Sequence, residues 1–580
     1  MFSSLPLRHG AAVAVFASLS TWILWPVAAD PTRIGLGYEA NDVWNHVWGY
    51  WWVARCILSG ELPIHSDLLN WPRGGSLWFI DVFGAVTTLP VQMAWGPVAA
   101  YNASIWLNFL LCGIGAYVLA FRASAHWLGS LLAGVCYMSS PHLLGQAYNG
   151  ISETLSAGWF PLSIAAMREV AHDPTPKKGA MAGLAWAFTV LANFYYGVFT
   201  GIVAGGLFAR AVWRAWGRRH YGREQLRRGA KQTAVATVVG LVVLGATTAF
   251  PFTLFAASMN AQDAVVSRNE TFVWLTLILH NMTDLEAMFH PGKFYSPDLK
   301  LHFNEDLIVV VYIGYALLVP ALFTLLTPIG RAVRSWGLFA AGFGLLTLGP
   351  FLYVHGDYVM LGGGWIPLPF MVLFKWFPLF SRISHAYRFI LGVSVALSVM
   401  AAFAVRAAQQ KGVPAIVVVI SVGTLRVLES FYASAAHFPV PASTVEVPAV
   451  YAQLTGGAVL DLPVSIPVLA RSRYNLYQLV HEQPVPYGLN DPTPPFLYLN
   501  RFGRYLIDLE RGTTAMLPAR LPALDLELGR QDLVANGLKW IVLHRDWFPE
   551  AQFTKVSYFL DMTATPVYED AQVRVYRLDE

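Results

Sequence analysis

The 580-residue chain is 56% hydrophobic, only 13% charged and has a mean hydropathy of +0.47. Soluble domains carry roughly a quarter of their residues charged, so this balance excludes an ordinary soluble enzyme and indicates a polytopic membrane protein. The formal net charge of +4 is small, and its Lys and Arg fall in short clusters between apolar runs, which is a topology signal and not a nucleic-acid footprint.

The first apolar run covers 11–29, after Arg8 and His9. Its small residues Ala28 and Ala29 also fit a signal-peptide site, but the run approaches the roughly 20 residues that cross a bilayer and reads as an uncleaved first span. An opening loop, 30–75, follows. Within it, Asp42 and His46 fall one helical turn apart, with Glu39 and Asn45 near the same side. Trp44, Trp48, Trp51 and Trp52 spread over the rest of that helix and predict a position in the headgroup zone of a membrane.

Further apolar segments are expected at 76–95, 101–121, 126–140, 151–167 and, as a pair broken near Asn193, at 179–193 and 197–213. Between 214 and 231 stand Arg214, Arg218, Arg219, Arg223, Arg227, Arg228 and Lys231, a loop that the positive-inside rule puts in the cytoplasm. From that anchor 233–255 goes out, 307–326 returns, 336–354 goes out, 389–405 returns and 413–431 makes the last exit. Counting backwards, one early segment must be half-length, split or re-entrant, and 138–151, broken by Pro141 and Gly145, is the candidate. Hydropathy gives about 11 to 13 crossings.

Residues 1–431 therefore form a transmembrane domain and 432–580 a small extracytoplasmic α/β domain, richer in charge and Pro. Its expected strands are 458–462 and 539–543, with a hairpin at 566–577 and a helix over 524–536 ended by Gly537. The three cysteines, Cys56, Cys112 and Cys136, lack disulfide or zinc spacing.

Chemistry is expected from the acids near the outer face. Asp42 can serve as a base toward a hydroxyl, supported by Glu39 and His46; the same carboxylate also fits a plain helix cap. Asp81, inside an apolar segment, and Glu153, beside the suspected break, are candidate second acids, since a carboxylate at membrane depth faces a wet cavity. Arg382, His385 and Arg388 lie on the side opposite to positive-inside bias and can hold a phosphate, with Arg73 a further candidate. His280, His290 and Lys293 in the long outer loop are weaker candidates. A divalent cation held by Glu39, Asp42 and a second acid is possible, although there is no DxD pair, P-loop, dinucleotide fingerprint or HExxH.

An acid-bearing first outer loop with an aromatic helix (Glu39, Asp42, His46), many spans and a C-terminal extracytoplasmic domain together resemble the GT-C superfamily of membrane glycosyltransferases. The blocks Asn70-Trp-Pro-Arg-Gly-Gly-Ser76, Gly96-Pro-Val-Ala-Ala-Tyr-Asn102 and Phe377-Pro-Leu-Phe-Ser-Arg382 resemble a bacterial, protein-mannosyltransferase-like or YfhO-like branch. The resemblance implies a polyprenyl-phosphate sugar donor, a glycan, lipid or protein acceptor, membrane lipids as neighbours and no nucleic acid. It also implies Asp42, and less directly Glu39, as the catalytic carboxylate of a bacterial inner-membrane enzyme. The rival readings are a transporter or flippase of a lipid-linked glycan, for which no inverted repeat is visible, and an envelope-assembly scaffold.

Overall fold

The computed structural model describes residues 5–77, 81–217, 223–260, 270–291, 307–489, 495–513 and 523–579. Part of the basic loop at 218–222, and Lys293, lie outside the described residues. The chain is mostly helical. Among the described residues, four helices are long and apolar enough to cross a membrane: Pro97–Ser124, Arg228–Ser258, Ala386–Gln410 and Ala415–Ala433.

In chain order the first half runs α1 Leu5–Ile23, α2 Val43–Ser59, α3 Val82–Thr87, α4 Leu89–Trp95, α5 Pro97–Ser124 and α6 Trp127–Met138. It continues with α7 Pro141–Asn149, α8 Ser152–Leu155, α9 Trp159–His172, α10 Pro176–Ala192, α11 Phe194–Gly217 and α12 Arg223–Asn260. Small residues set how these helices meet. Phe16 of α1 occupies space left by Gly113 of α5 and Gly134 of α6. The helix Ile390–Gln410 is buried along almost its whole length, and its Ala, Gly and Ser content lets neighbours approach closely; Gly129 of α6 abuts the Ala402 backbone.

Several apolar runs counted as crossings are cut short. The run 76–95 becomes the six-residue α3 and seven-residue α4, because Asp81 caps one and Thr88-Leu89-Pro90 starts the other. The run 126–140 yields α6, 12 residues long, about 18 Å at 1.5 Å per residue. The segment 138–151 is the buried nine-residue α7, a half-length piece as expected. The break between α10 and α11 falls at Asn193, whose backbone is extended.

The expected span 307–326 is helical only over Tyr315–Leu325. Its Val-rich start is extended and fixed to α7: the Asn149 side chain accepts from Ile308 N (2.9 Å) and donates to Ile308 O (2.8 Å). His142 Nδ1 bonds Val310 O at 3.0 Å. β-Branched residues favour this extended form once side chains satisfy its backbone.

The C-terminal region builds a four-stranded sheet in the order 565–569, 573–577, 538–544, 458–462, with the last pair parallel and the others antiparallel. The helices Arg501–Glu510, Ala523–Ala535 and Glu550–Thr563 accompany it, and Gly537 takes a positive φ after the second of these. Its core does not stop at the chain segment that forms the sheet. Trp48 and Trp52 of α2, together with Trp71, pack into it, while Trp44 packs into the transmembrane core. Trp48 Nε1 donates to Gln478 Oε1 at 2.7 Å.

This corrects the expectation that α2 lies on a membrane surface. Trp44 and Trp48 are completely buried and Trp52 nearly so. The C-terminal region buries the Trp48 and Trp52 rings and gives the Trp48 N–H its partner in Gln478, which a headgroup zone does not do. The helix α2 is thus a clamp between the two cores.

Candidate active site

Short strands first bring the loop into place. Ile34–Leu36 pairs antiparallel with Ala442–Thr444, and Tyr101 and Asn102 of α5 bond the Leu36 backbone. Asp42 N then donates to Asn149 O at 3.1 Å. Gly150 caps α7 at a positive φ with Val43 pressed against it, so any side chain there would collide with α2.

On α2, His46 is buried. Its Nδ1 bonds the Asp42 carbonyl at 3.0 Å and its Nε2 bonds Glu153 Oε2 at 2.6 Å. Burial alone would lower the imidazole pKa, but the charge and hydrogen bond of Glu153, with Asp42 adding to them, lift it to about 9. For Glu153, burial favours the neutral acid, and His46 outweighs it, so the carboxyl is held below its ordinary range. The pair is therefore imidazolium and carboxylate at neutral pH.

One turn further along α2, Tyr50 donates to Asp81 Oδ2 at 2.9 Å, and Ser152 of α8 donates to the same oxygen at 2.7 Å. Gly84 N donates to Oδ1 at 2.8 Å, which makes Asp81 the N-cap of α3. Position 84 has no room for a side chain, because a Cβ would overlap Tyr50 and the Asp81 carboxylate. Burial and the Glu153 charge raise the Asp81 pKa despite these donors.

Asp81 and Glu153 line a cavity of about 350 Å³ that Arg382 and Arg388 also line. Its remaining wall is mainly apolar: Val82, Phe83 and Val86 from α3, Val190 and Leu191 from α10, and Pro251, Phe252 and Phe255 from α12. Arg388 is buried, its guanidinium lies 4.9 Å from the centre of the Tyr195 ring, and its Nε has no hydrogen-bond partner. The arrangement offers carboxylates to a hydroxyl and fixed cations to an anion in one apolar-walled space.

The other expected residues fall elsewhere. Asp42 is 3% exposed, accepts Asn45 Nδ2 at 3.0 Å and is not part of the cavity lining. It sits at the buried start of α2, tied to α7 by the Asn149 bond, and is joined to the cavity acid Glu153 through His46. Glu39 pairs with Arg473 of the C-terminal region, Nη2 to Oε2 3.1 Å. His385 bonds Ser384 Oγ at 2.7 Å and the Tyr195 hydroxyl at 3.3 Å and is not part of the cavity lining. Arg73 is exposed on the turn after Trp71. Among the described residues no three His, Cys, Asp or Glu side chains group as metal ligands do.

Tyr50, Ser152 and Tyr195 escape the sequence reading. Tyr50 lies four residues after His46, so helical spacing from the expected acid loop would have found it. Tyr195 is the second residue of α11, just past the break at Asn193, and had only that irregularity to mark it.

No family model matches the chain, and no curated protein matches its sequence. Among solved structures it is similar to the arabinofuranosyltransferase AftD from Mycobacteria, at 14% identity and a TM-score of 0.53, over 98% of this chain and 40% of that one. It is also similar to the oligosaccharyltransferase of Archaeoglobus fulgidus in its apo form (12% identity, TM-score 0.46, 98% of this chain and 74% of that one). A third is ArnT from Cupriavidus metallidurans bound to undecaprenyl phosphate (12%, TM-score 0.39, 100% and 98%). The chain spans about two fifths of the length of the arabinofuranosyltransferase it matches.

Proposed function

From its GT-C fold and membrane-protein character, we propose that this chain is a membrane glycosyltransferase moving a sugar from a polyprenyl-phosphate donor to an envelope acceptor. The observation that carries the reading is the cavity in which Asp81, Glu153, Arg382 and Arg388 meet beside an apolar wall. Such a wall suits a prenyl chain entering from lipid while the headgroup reaches the charged end.

In this reading Asp81 takes the proton from the acceptor hydroxyl. Its raised pKa suits a base, and Tyr50, Ser152 and Gly84 N fix the carboxylate. The acceptor oxygen attacks the anomeric carbon, the bond to the lipid phosphate breaks, and the configuration inverts. Arg388 and Arg382 neutralise the departing phosphate. Glu153, locked to His46, orients the sugar, and Asp42 positions His46. The site faces the outer side of a bacterial inner membrane, with the C-terminal domain outside.

Mass spectrometry of envelope glycans from a deletion strain tests the reading. A missing sugar, restored by the wild-type chain and not by Asp81→Asn, is expected. Unchanged glycans, or full restoration by Asp81→Asn, would refute it.

A further inference from the structure

A second pocket lies in the C-terminal region, about 80 Å³, lined by Arg473, Tyr477, His544, Asp546, Trp547 and Gln572 with Glu446 at its edge. None of these residues belongs to the candidate active site. We propose that this pocket binds a saccharide.

The lining decides the ligand class. Two carboxylates, Glu446 and Asp546, oppose a phosphate or other anion. Pro448 is the one aliphatic residue of the lining, too little for an acyl chain. Hydroxyl groups both donate and accept, so they match a guanidinium, an amide, an imidazole and carboxylates together, and the C–H face of a sugar ring matches the half-exposed indole of Trp547, while Tyr477, buried and stacked on Tyr451 and His544, backs the pocket. The pocket is smaller than one hexose, so the ring is held from one side and stays partly in solvent, in keeping with the exposure of Glu446, Asp546 and Gln572.

The wall behind is built and not incidental. Asp461, fully buried on the strand 458–462, accepts from His544 Nε2 (2.9 Å) and from the Tyr451 hydroxyl, which leaves Nδ1 as the imidazole nitrogen open to a ligand. Tyr474 and His544 stack on Trp547 with ring centres 5.1 Å away at 23° and 25°, fixing the indole. Arg473 has a buried Nε with no partner, and its Nη2 holds Glu39 three residues before Asp42. Occupancy of the pocket is thereby linked to the loop that starts α2. Use of the pocket to anchor an acceptor glycan rests on the transfer reading; the binding itself does not.

The full-length protein in nanodiscs, free of maltoside detergent, is titrated with trisaccharides of mannose, galactose, glucose and arabinose and followed by saturation-transfer NMR. Saturable binding of at least one is expected, weakened about tenfold or more by Trp547→Ala and by Arg473→Ala, largely kept by Trp547→Phe, and untouched by Asp81→Asn. No saturable binding of any of the four, binding that survives both alanine variants, or displacement of the sugar by inorganic phosphate would overturn the proposal. A variant dead in transfer that still binds supports this site and separates its fate from that of the active site.

Discussion

His46 Nε2 and Glu153 Oε2 lie 2.6 Å apart although 107 residues separate them in the chain. Through this pair the loop helix α2 holds one of the two acids of the cavity. A buried ion pair contributes little unless its geometry is good and its other valences are filled, and here the second imidazole nitrogen is bonded to the Asp42 carbonyl.

The pair makes stability depend on pH in a defined direction. His46 is raised from 6.5 to about 9, so its contribution is complete below pH 6.5 and disappears as pH rises through about 9. Glu153 is lowered from 4.5, so its contribution is present above that value and is lost as pH falls through its depressed pKa. Thermal unfolding in nanodiscs between pH 4 and 10 should show a plateau between about pH 4.5 and 6.5 and a decline from there to about pH 9, where the contribution of His46 is spent. His46→Gln should remove the alkaline decline while lowering the plateau; an unchanged alkaline limb in that variant would contradict the assignment.

Asp81 and Asp42 are expected to separate in function. Asp81→Asn keeps size and the hydrogen bonds from Tyr50 and Ser152 in reach but removes the base, and turnover should fall about a hundredfold or more with donor affinity kept. Asp42→Asn, away from the cavity lining, keeps an oxygen for Asn45 Nδ2 and loses the charge beside His46, so it should cost about 1 kcal/mol of stability and alter turnover much less. Single-turnover rates with a polyprenyl-phosphate sugar check both, and equal losses would return Asp42 to the centre of the reaction.

Arg388 should act on the lipid phosphate and not on the acceptor. It is buried over Tyr195 with an unpartnered Nε, and lysine cannot reproduce a planar fork of donors. Arg388→Lys is expected to weaken polyprenyl-phosphate binding by about 1.5–3 kcal/mol, read by native mass spectrometry of the purified protein. Unaltered binding would remove Arg388 from the leaving-group site.

The sequence announced much of this fold because its periodic signals are strong. The strand 458–462, the hairpin near 566–577, the helix ended by Gly537 and the break at Asn193 all stand where turn chemistry and pattern put them. It also brought forward Asp81 as an acid inside an apolar run, Glu153 beside a suspected break, and Arg382 and Arg388 on the side opposite to positive-inside bias, and the structure gathers these four around one cavity. What it could not show was which acid faces that space. Asp42 and His46 are one turn apart on any helix, but the bond from Asp42 N to Asn149 O is a long-range choice that turns the start of α2 inward. The tryptophans misled for the same reason: an indole that suits a membrane interface suits a domain core equally, and Gln478, 430 residues beyond Trp48, decides between them.

The wall of the cavity formed by α12 gives the last prediction. That helix is little buried elsewhere in the bundle and rests mainly on α10, where Gly179 and Gly183 let the two backbones touch. A Cβ at Gly179 would overlap the Ala236 carbonyl oxygen, and one at Gly183 the Gly240 carbonyl oxygen. Backbone atoms cannot step aside as a flexible side chain can, so Gly183→Val should push α12 away from α10 and cost about 1–3 kcal/mol of stability. Because α12 also supplies Pro251, Phe252 and Phe255 to the cavity, the displaced wall should raise the KM for the lipid donor more than it lowers kcat. Gly245→Ala on the same helix serves as the control: nothing lies within 4 Å of its added Cβ, and it should be neutral or stabilising by about 0.5–1 kcal/mol. If Gly183→Val left both the unfolding temperature and the donor KM at wild-type values, α12 would have to be held by something other than this glycine seam.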